Sequence, residues 1–167
     1  MKGLGGKTVS ERVSSSVQRV HRALLDHGLE TEILELPQST RSAKEAAQAV
    51  GCEVAQIAKS IVFKARETEK PVLVIASGPN RINEDRISSL VSEPVKMANP
   101  DFVKSKTGFS IGGVAPVGHL EKPEIFIDED LFKYKEIWAA AGTPHAVFKL
   151  TPHELEKITG GRVISVK

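Results

Sequence analysis

The chain has 167 residues, 40% of them hydrophobic and 26% charged, and a formal charge of +2. That length suits one domain with its own apolar core, and the composition excludes the charge-rich, low-hydrophobicity disordered class. The small net charge excludes a histone-like basic protein while remaining compatible with a polyanionic partner. Cys52, the only cysteine, excludes an intramolecular disulfide and a multi-cysteine zinc site. There is no apolar run near the roughly 18 residues that cross a bilayer and no apolar signal-peptide core, so a cytoplasmic protein is expected.

Met1–Ser10 is rich in Gly, Lys and Ser without periodicity, and residues 1–12 read as a flexible leader ahead of a domain spanning 13–167. Val17, Val20, Ala23 and Leu24 recur at helical spacing, which predicts a helix over 14–27 ended by Gly28. Thr31–Leu36 reads as a short strand. Ser42 and Glu45 have capping-box spacing, so a helix is expected from there to Val50, with Gly51 as its stop. An apolar turn, Val54–Ala58, leads to a β-branched strand over Lys59–Lys64, which pairs as a hairpin with Pro71–Ala76. Asn83 starts a helix to Val91, and Asn99-Pro100 caps another that reaches about Ser105.

Thr107–His119 carries four glycines and a proline and must be a loop of unusual path. Strands are expected at 124–128, 136–140, 145–150 and 162–166, with a helix capped by Thr151 running to Thr159. The mixed order of helices and strands gives an α+β fold: a single domain with a mixed, mostly antiparallel sheet flanked by helices.

Two segments exceed what packing requires. Lys59 places a cation where a turn enters an apolar strand, and the glycine loop lets backbone N–H groups converge on an anion or carbonyl oxygen because no Cβ blocks the approach. The passages Ser42–Gly51, Gln56–Phe63 and Gly108–His119 together resemble the YbaK and prolyl-tRNA-synthetase editing-domain superfamily of trans-acting aminoacyl-tRNA deacylases, over about Val17–Val166. They are similar to its capped helix, its lysine-bearing strand and its Gly-x-x-x-Pro loop with a trailing His.

The resemblance implies hydrolysis of the ester joining an amino acid to the terminal ribose of tRNA, with a ribose hydroxyl helping to activate water. The amino acids removed are small ones such as alanine, serine or threonine, on tRNAs for proline among others. Carried over by position, it implies that Lys59, Gly112, Gly113 and Pro116 serve catalysis. Ser42, Ser60, Phe109, Ser110, Ile111, Val114, Ala115 and His119 then bind substrate, His119 through pocket shape. The partner expected is the 3′ acceptor end of aminoacyl-tRNA, with an aminoacyl-tRNA synthetase as a second; no cofactor, metal or membrane is expected.

Blander readings stand beside each of these. Lys59 alone fits a snorkelling edge lysine, the loop a tight connection, and Arg41, Lys44, Lys64 and Arg66 a solvated surface as well as contacts to a tRNA backbone. Phe102, Phe109 and Trp138 fit a core better than base-stacking platforms. The five histidines lack metal-ligand spacing. Gly108-Phe-Ser110-Ile-Gly112 fits the nucleophile elbow of a serine esterase, with His119, His145, Asp128 and Asp130 downstream, but that elbow requires a strand before it and a helix after it. A non-catalytic module that grips tRNA or a synthetase is the remaining alternative.

Overall fold

A computed structural model describes residues 14–167; the leader expected over 1–12 lies outside them. In chain order the helices are α1 (Ser15–Asp26), α2 (Ala43–Val50), α3 (Glu84–Val91), α4 (Pro100–Thr107) and α5 (Pro152–Thr159). The strands are β1 (Ile33–Glu35), β2 (Ile57–Ala65), β3 (Pro71–Ser77), β4 (Val95–Met97), β5 (Glu124–Asp128), β6 (Ile137–Ala140), β7 (Ala146–Leu150) and β8 (Arg162–Ile164). Short 3-10 turns occupy Val54–Gln56 and Glu129–Lys133.

The helix starts follow local chemistry. Ser42 Oγ accepts from Glu45 N–H at 3.1 Å while Glu45 returns a carboxylate to the Ser42 N–H, and Thr151 and Glu154 repeat the arrangement. Asn83 and Asn99 cap α3 and α4. α1 ends in a Schellman turn, with Leu29 N–H on Leu24 O and Gly28 N–H on Leu25 O, each at 2.9 Å.

The strands form one mixed sheet in the order β1-β7-β6-β2-β3-β5-β8, with β4 also on β2. Among the described residues four pairings are antiparallel (β1–β7, β2–β3, β2–β4, β6–β7) and three parallel (β2–β6, β3–β5, β5–β8). β3 lies centrally and is buried along its whole length, as its unbroken apolar run requires. Its Pro71, which has no N–H to donate, sits at the first strand position.

One face of the sheet packs Val17, Val20 and Leu24 of α1, Leu155 and Ile158 of α5, and Phe109 into the larger core. The other covers Phe63, Val74 and Phe126 with Ile87 of α3 and with Val166. α2 closes a third cluster over Ile57. Each fully buried Phe, Leu or Ile contributes about 1.5–3 kcal/mol of transfer free energy.

Several boundaries differ from expectation. β2 begins at Ile57, so the strand takes up the end of the expected turn, and α4 continues to Thr107. β1 is three residues, and β8 stops at Ile164 because the chain then turns inward to bury Val166. β4 was not expected at all.

Candidate active site

β2 has one complete edge and one divided edge. It pairs with β3 from Ala58 to Lys64, but on its other side it meets β6 only at Ile57 and Ala58 and β4 only from Phe63 to Ala65. Lys59 to Ile61 face neither strand, and Val62 O accepts from Ala98 N–H just past β4 at 3.0 Å. A cavity of about 250 Å³ occupies this gap.

Its walls come from distant parts of the chain. Ile57 to Val62 form the floor; Met97, Ala98 and Val103 close one side, and Trp138, Ala139, Ala140 and Val147 the other. Thr40, Arg41, Ser42 and Ala46 bring the start of α2, and Ile111, Gly112 and Val114 bring the loop after α4. Among these residues there is no Asp, Glu, His or Cys.

Strand alternation sends neighbouring side chains to opposite faces. Ala58 and Val62 join the α1 core, whereas Ile57, Ile61 and Phe63 pack on the other face. Lys59 and Ser60 therefore leave β2 on opposite sides, and both border the cavity because it lies against the strand's edge. Lys59 is half-buried, and burial pushes its ammonium below the usual lysine range, an effect the Asp128 carboxylate opposes. The salt bridges among the described residues engage Lys64, Lys106, Lys133, Lys149 and Lys167, and none engages Lys59. The Ser60 hydroxyl is buried and makes no hydrogen bond among the described residues.

The loop is braced from behind by α1. Arg19 donates from Nε to Gly118 O at 2.7 Å and from Nη2 to Thr107 O at 3.2 Å, with its guanidinium 4.6 Å from the centroid of the Phe109 ring. Phe109 is wholly buried. Gly113 N–H then donates to Ser110 O at 2.9 Å, closing a turn that projects Ile111 and Gly112 toward the cavity.

The paired glycines have different physical reasons. Gly112 has φ of +92°, a left-handed value that disfavours any Cβ. At Gly113 a Cβ would lie 2.6 Å from the Thr143 backbone, so the loop is seated on that segment by close approach. The Gly113 amide is taken by the turn, whereas the Gly112 and Val114 amides donate to no acceptor among the described residues.

The expected site residues thus divide. Lys59, Ser42, Ser60, Ile111, Gly112 and Val114 border the cavity. Gly113, Phe109 and Ala115 lie behind its wall, and Ser110 is exposed. Pro116 and His119 line a separate cavity of about 160 Å³ with His27 and Lys122. His119 Nε2 lies 2.6 Å from Ala115 O, so Nε2 carries the proton; Nδ1 is buried without a partner, and burial pushes the ring below the usual histidine range.

Sequence reasoning missed Trp138, Met97, Ala98 and Val147 as cavity walls. Trp138 carried a signal, a large aromatic in a short strand, but its parallel pairing with Ile57 has no local signature. The serine-esterase arrangement is absent: a helix, α4, precedes Ser110 and an irregular loop follows it. Asp128 is held by Ser77 and Asn80, and His145 Nδ1 is bonded to Gln38 O at 2.9 Å.

Known proteins share this sequence pattern and fold. A family model described as the aminoacyl-tRNA editing domain matches residues 37–158. The chain is 28% identical over 148 residues to YwhH of Bacillus subtilis, covering 89% of this chain and 94% of that protein. It is 30% identical over 114 residues to a proline--tRNA ligase of Thermosipho melanesiensis, covering 68% of this chain but 19% of the ligase, so it corresponds to a minor part of that enzyme. A solved structure described as a candidate trans-editing enzyme for prolyl-tRNA synthetase superposes with a TM-score of 0.87 at 48% identity, covering 93% of this chain and 99% of that one.

Proposed function

The chain belongs to the aminoacyl-tRNA editing domain family, and from that premise we propose that it is a trans-editing deacylase that hydrolyses the ester between a small amino acid and the terminal ribose of a mischarged tRNA. The observation that carries this reading is the divided edge of β2, where a half-buried, unpaired Lys59 borders the same small cavity as the free amides of Gly112 and Val114. A cavity of about 250 Å³ lies below the ~300 Å³ at which sites for drug-sized molecules begin. Its apolar walls suit a short side chain, alanine, serine or threonine, far better than a long or charged one.

The chemistry follows from the donor set. Water adds to the ester carbonyl carbon, the bond from that carbon to the ribose oxygen breaks, and the products are the free amino acid and tRNA with its hydroxyl restored. Negative charge grows on the carbonyl oxygen during the addition, and fixed N–H dipoles and an ammonium stabilise it more than they stabilise the ground state. Because the cavity residues include no carboxylate, imidazole or thiol, the neighbouring hydroxyl of the substrate's own ribose acts as a relay, accepting the proton from water as it passes its own to the departing ribose oxygen. Positioning then supplies much of the rate, as expected for an already reactive ester. The positive end of α2, reaching the cavity at Ser42, favours a nearby phosphate of the acceptor end.

Two relatives bear on the substrate. The candidate Cys-tRNA(Pro)/Cys-tRNA(Cys) deacylase EbsC of Enterococcus faecalis is 23% identical over 126 residues, covering 75% of this chain and 76% of that protein. With the ligase match, it favours tRNA-Pro as carrier, prolyl-tRNA synthetase as a partner and the compartment of translation as the place of action. The test is release of free amino acid from a panel of mischarged tRNAs. Wild type should deacylate at least one, and Lys59→Ala should remain folded and lose most of that activity. A fully active Lys59→Ala protein would overturn the assignment of Lys59, and no release by wild type from any tRNA would favour a binding module.

A further inference from the structure

Asp128 stands outside the cavity, yet its place in the sheet couples it to Lys59. Lys59 pairs with Ala76 across β2 and β3, and the parallel register of β3 and β5, Val74 beside Phe126 and Ile75 beside Ile127, sets Ala76 beside Asp128. The three side chains form one row on one face of the sheet, the face that carries Phe63, Val74 and Phe126. Asp128 is completely buried. Its Oδ2 accepts from Ser77 N–H at 2.9 Å and Asn80 Nδ2 at 2.8 Å, and its Oδ1 from Asp130 N–H at 2.9 Å.

Three N–H donors fix this carboxylate in place, and a buried charge also calls for a cation. Lys133 and Lys167 both bind Asp130, at 3.2 and 3.1 Å, with Lys167 also acted on by the Asp128 charge, and Lys122 donates to Thr159 O. Lys59 is the cation that shares a strand row with Asp128. We propose that Asp128 is a positioning residue that acts through Lys59, a fixed counter-charge that keeps the ammonium protonated while Ala76 stands between the two.

The spacing makes this possible. Two strand intervals separate the Lys59 and Asp128 backbones by about 10 Å, and no salt bridge among the described residues joins them, yet the carboxylate acts on the ammonium through the interior. Coulomb's law at about 10 Å and an effective dielectric of about 20 corresponds to roughly one pH unit, or tenfold in proton affinity. Burial of Lys59 acts against protonation and the Asp128 charge acts for it. A carboxylate at position 76 would instead capture the ammonium and withhold it from substrate. The remaining charged groups near Lys59 do not replace Asp128. Arg41 at the cavity wall is a second cation, the Glu45 carboxylate is committed to its helix cap, and Glu53 caps an exposed 3-10 turn.

This inference rests on the deacylase reading for its purpose, but its test does not. The protonation of Lys59 is followed by NMR of its labelled side-chain carbon against pH, in wild type and in Asp128→Asn, with the fold checked by the same spectra. The expected result is a titration about one pH unit lower in the variant. If activity is present, the alkaline limb of kcat/KM should move down with it, a displacement that a merely structural role for Asp128 would not produce. An unchanged Lys59 titration in a folded variant overturns the proposal whether or not the protein deacylates.

Should Asp128→Asn fail to fold, the same Lys59 titration has a second route. A second charge-removing variant, Asp128→Ser, keeps a hydroxyl for one of the three N–H donors and is titrated in sucrose, which favours the compact state. Its Lys59 titration should again lie below that of wild type, and an unchanged one overturns the proposal equally.

Discussion

Replacing Gly113 by alanine tests how the loop is held. The added methyl would lie 2.6 Å from both the carbonyl carbon and Cα of Thr143 and 2.9 Å from its nitrogen. All three are backbone atoms, so no rotamer change relieves the overlap; either the loop lifts or the segment after β6 shifts. Overpacking of a well-filled interior costs about 1–3 kcal/mol, and for a domain of this size each kcal/mol lowers the midpoint by about 2–4 °C. The expected loss at the middle of that range is about 4–8 °C, read by calorimetry or thermal circular dichroism. Because Gly112 and Val114 both border the cavity, the lift should also raise KM for the mischarged tRNA. Gly112→Ala is the contrast, since its added methyl meets the movable Arg41 side chain and the cost lies in the left-handed backbone, about 1–2 kcal/mol. A Gly113→Ala protein with unchanged melting and unchanged kinetics would refute the idea that close approach to Thr143 seats the loop.

Other consequences are accessible to ordinary assays. Arg19→Met removes two hydrogen bonds to loop carbonyls and the guanidinium over Phe109; a loss of about 2 kcal/mol in denaturant unfolding is expected, and deacylation should fall with it at substrate concentrations below KM. Burial lowers the proton affinity of His119, so the unfolded chain binds a proton there more readily than the folded one. Its contribution is therefore complete above the ordinary histidine value of about 6.5 and declines as pH falls from there toward the folded value. Melting temperatures of wild type and His119→Phe, measured from pH 7.5 to 4.5, should show a shallower decline in the variant; equal slopes would show that His119 does not set the acid response.

Much of the scaffold is written locally. The capping residues Ser42, Asn83, Asn99 and Thr151 fall where the helices start, because a cap is decided by residues three positions apart. The apolar run of β3 announces a strand buried on both faces for the same reason. β4 is different: Val95-Lys96-Met97 is too short to declare itself, and it is a strand only because β2 offers it an edge. The cavity shares that non-local origin. Lys59, Ser60 and Gly112 were legible as candidates, but the gap between them exists because β6 and β4 stop short of each other along β2. Asp128 was legible only as a partner in a hydrolase arrangement that the structure lacks, since its row with Lys59 depends on two registers between strands separated by up to about 50 residues.

The interrupted border of β2 has an implication for how such a molecule changes over time. The hairpin carrying Lys59 is anchored in the middle of the sheet, whereas the jaws on either side, around Met97 and Ala98 and around Ala139 and Val147, are carried by short strands, of which β4 and β6 meet it over only three and two residues. Widening or narrowing the opening by a methyl group at a jaw leaves the hairpin's own pairing untouched. One chemistry can therefore be redirected toward a differently sized cargo through substitutions far along the chain from the lysine.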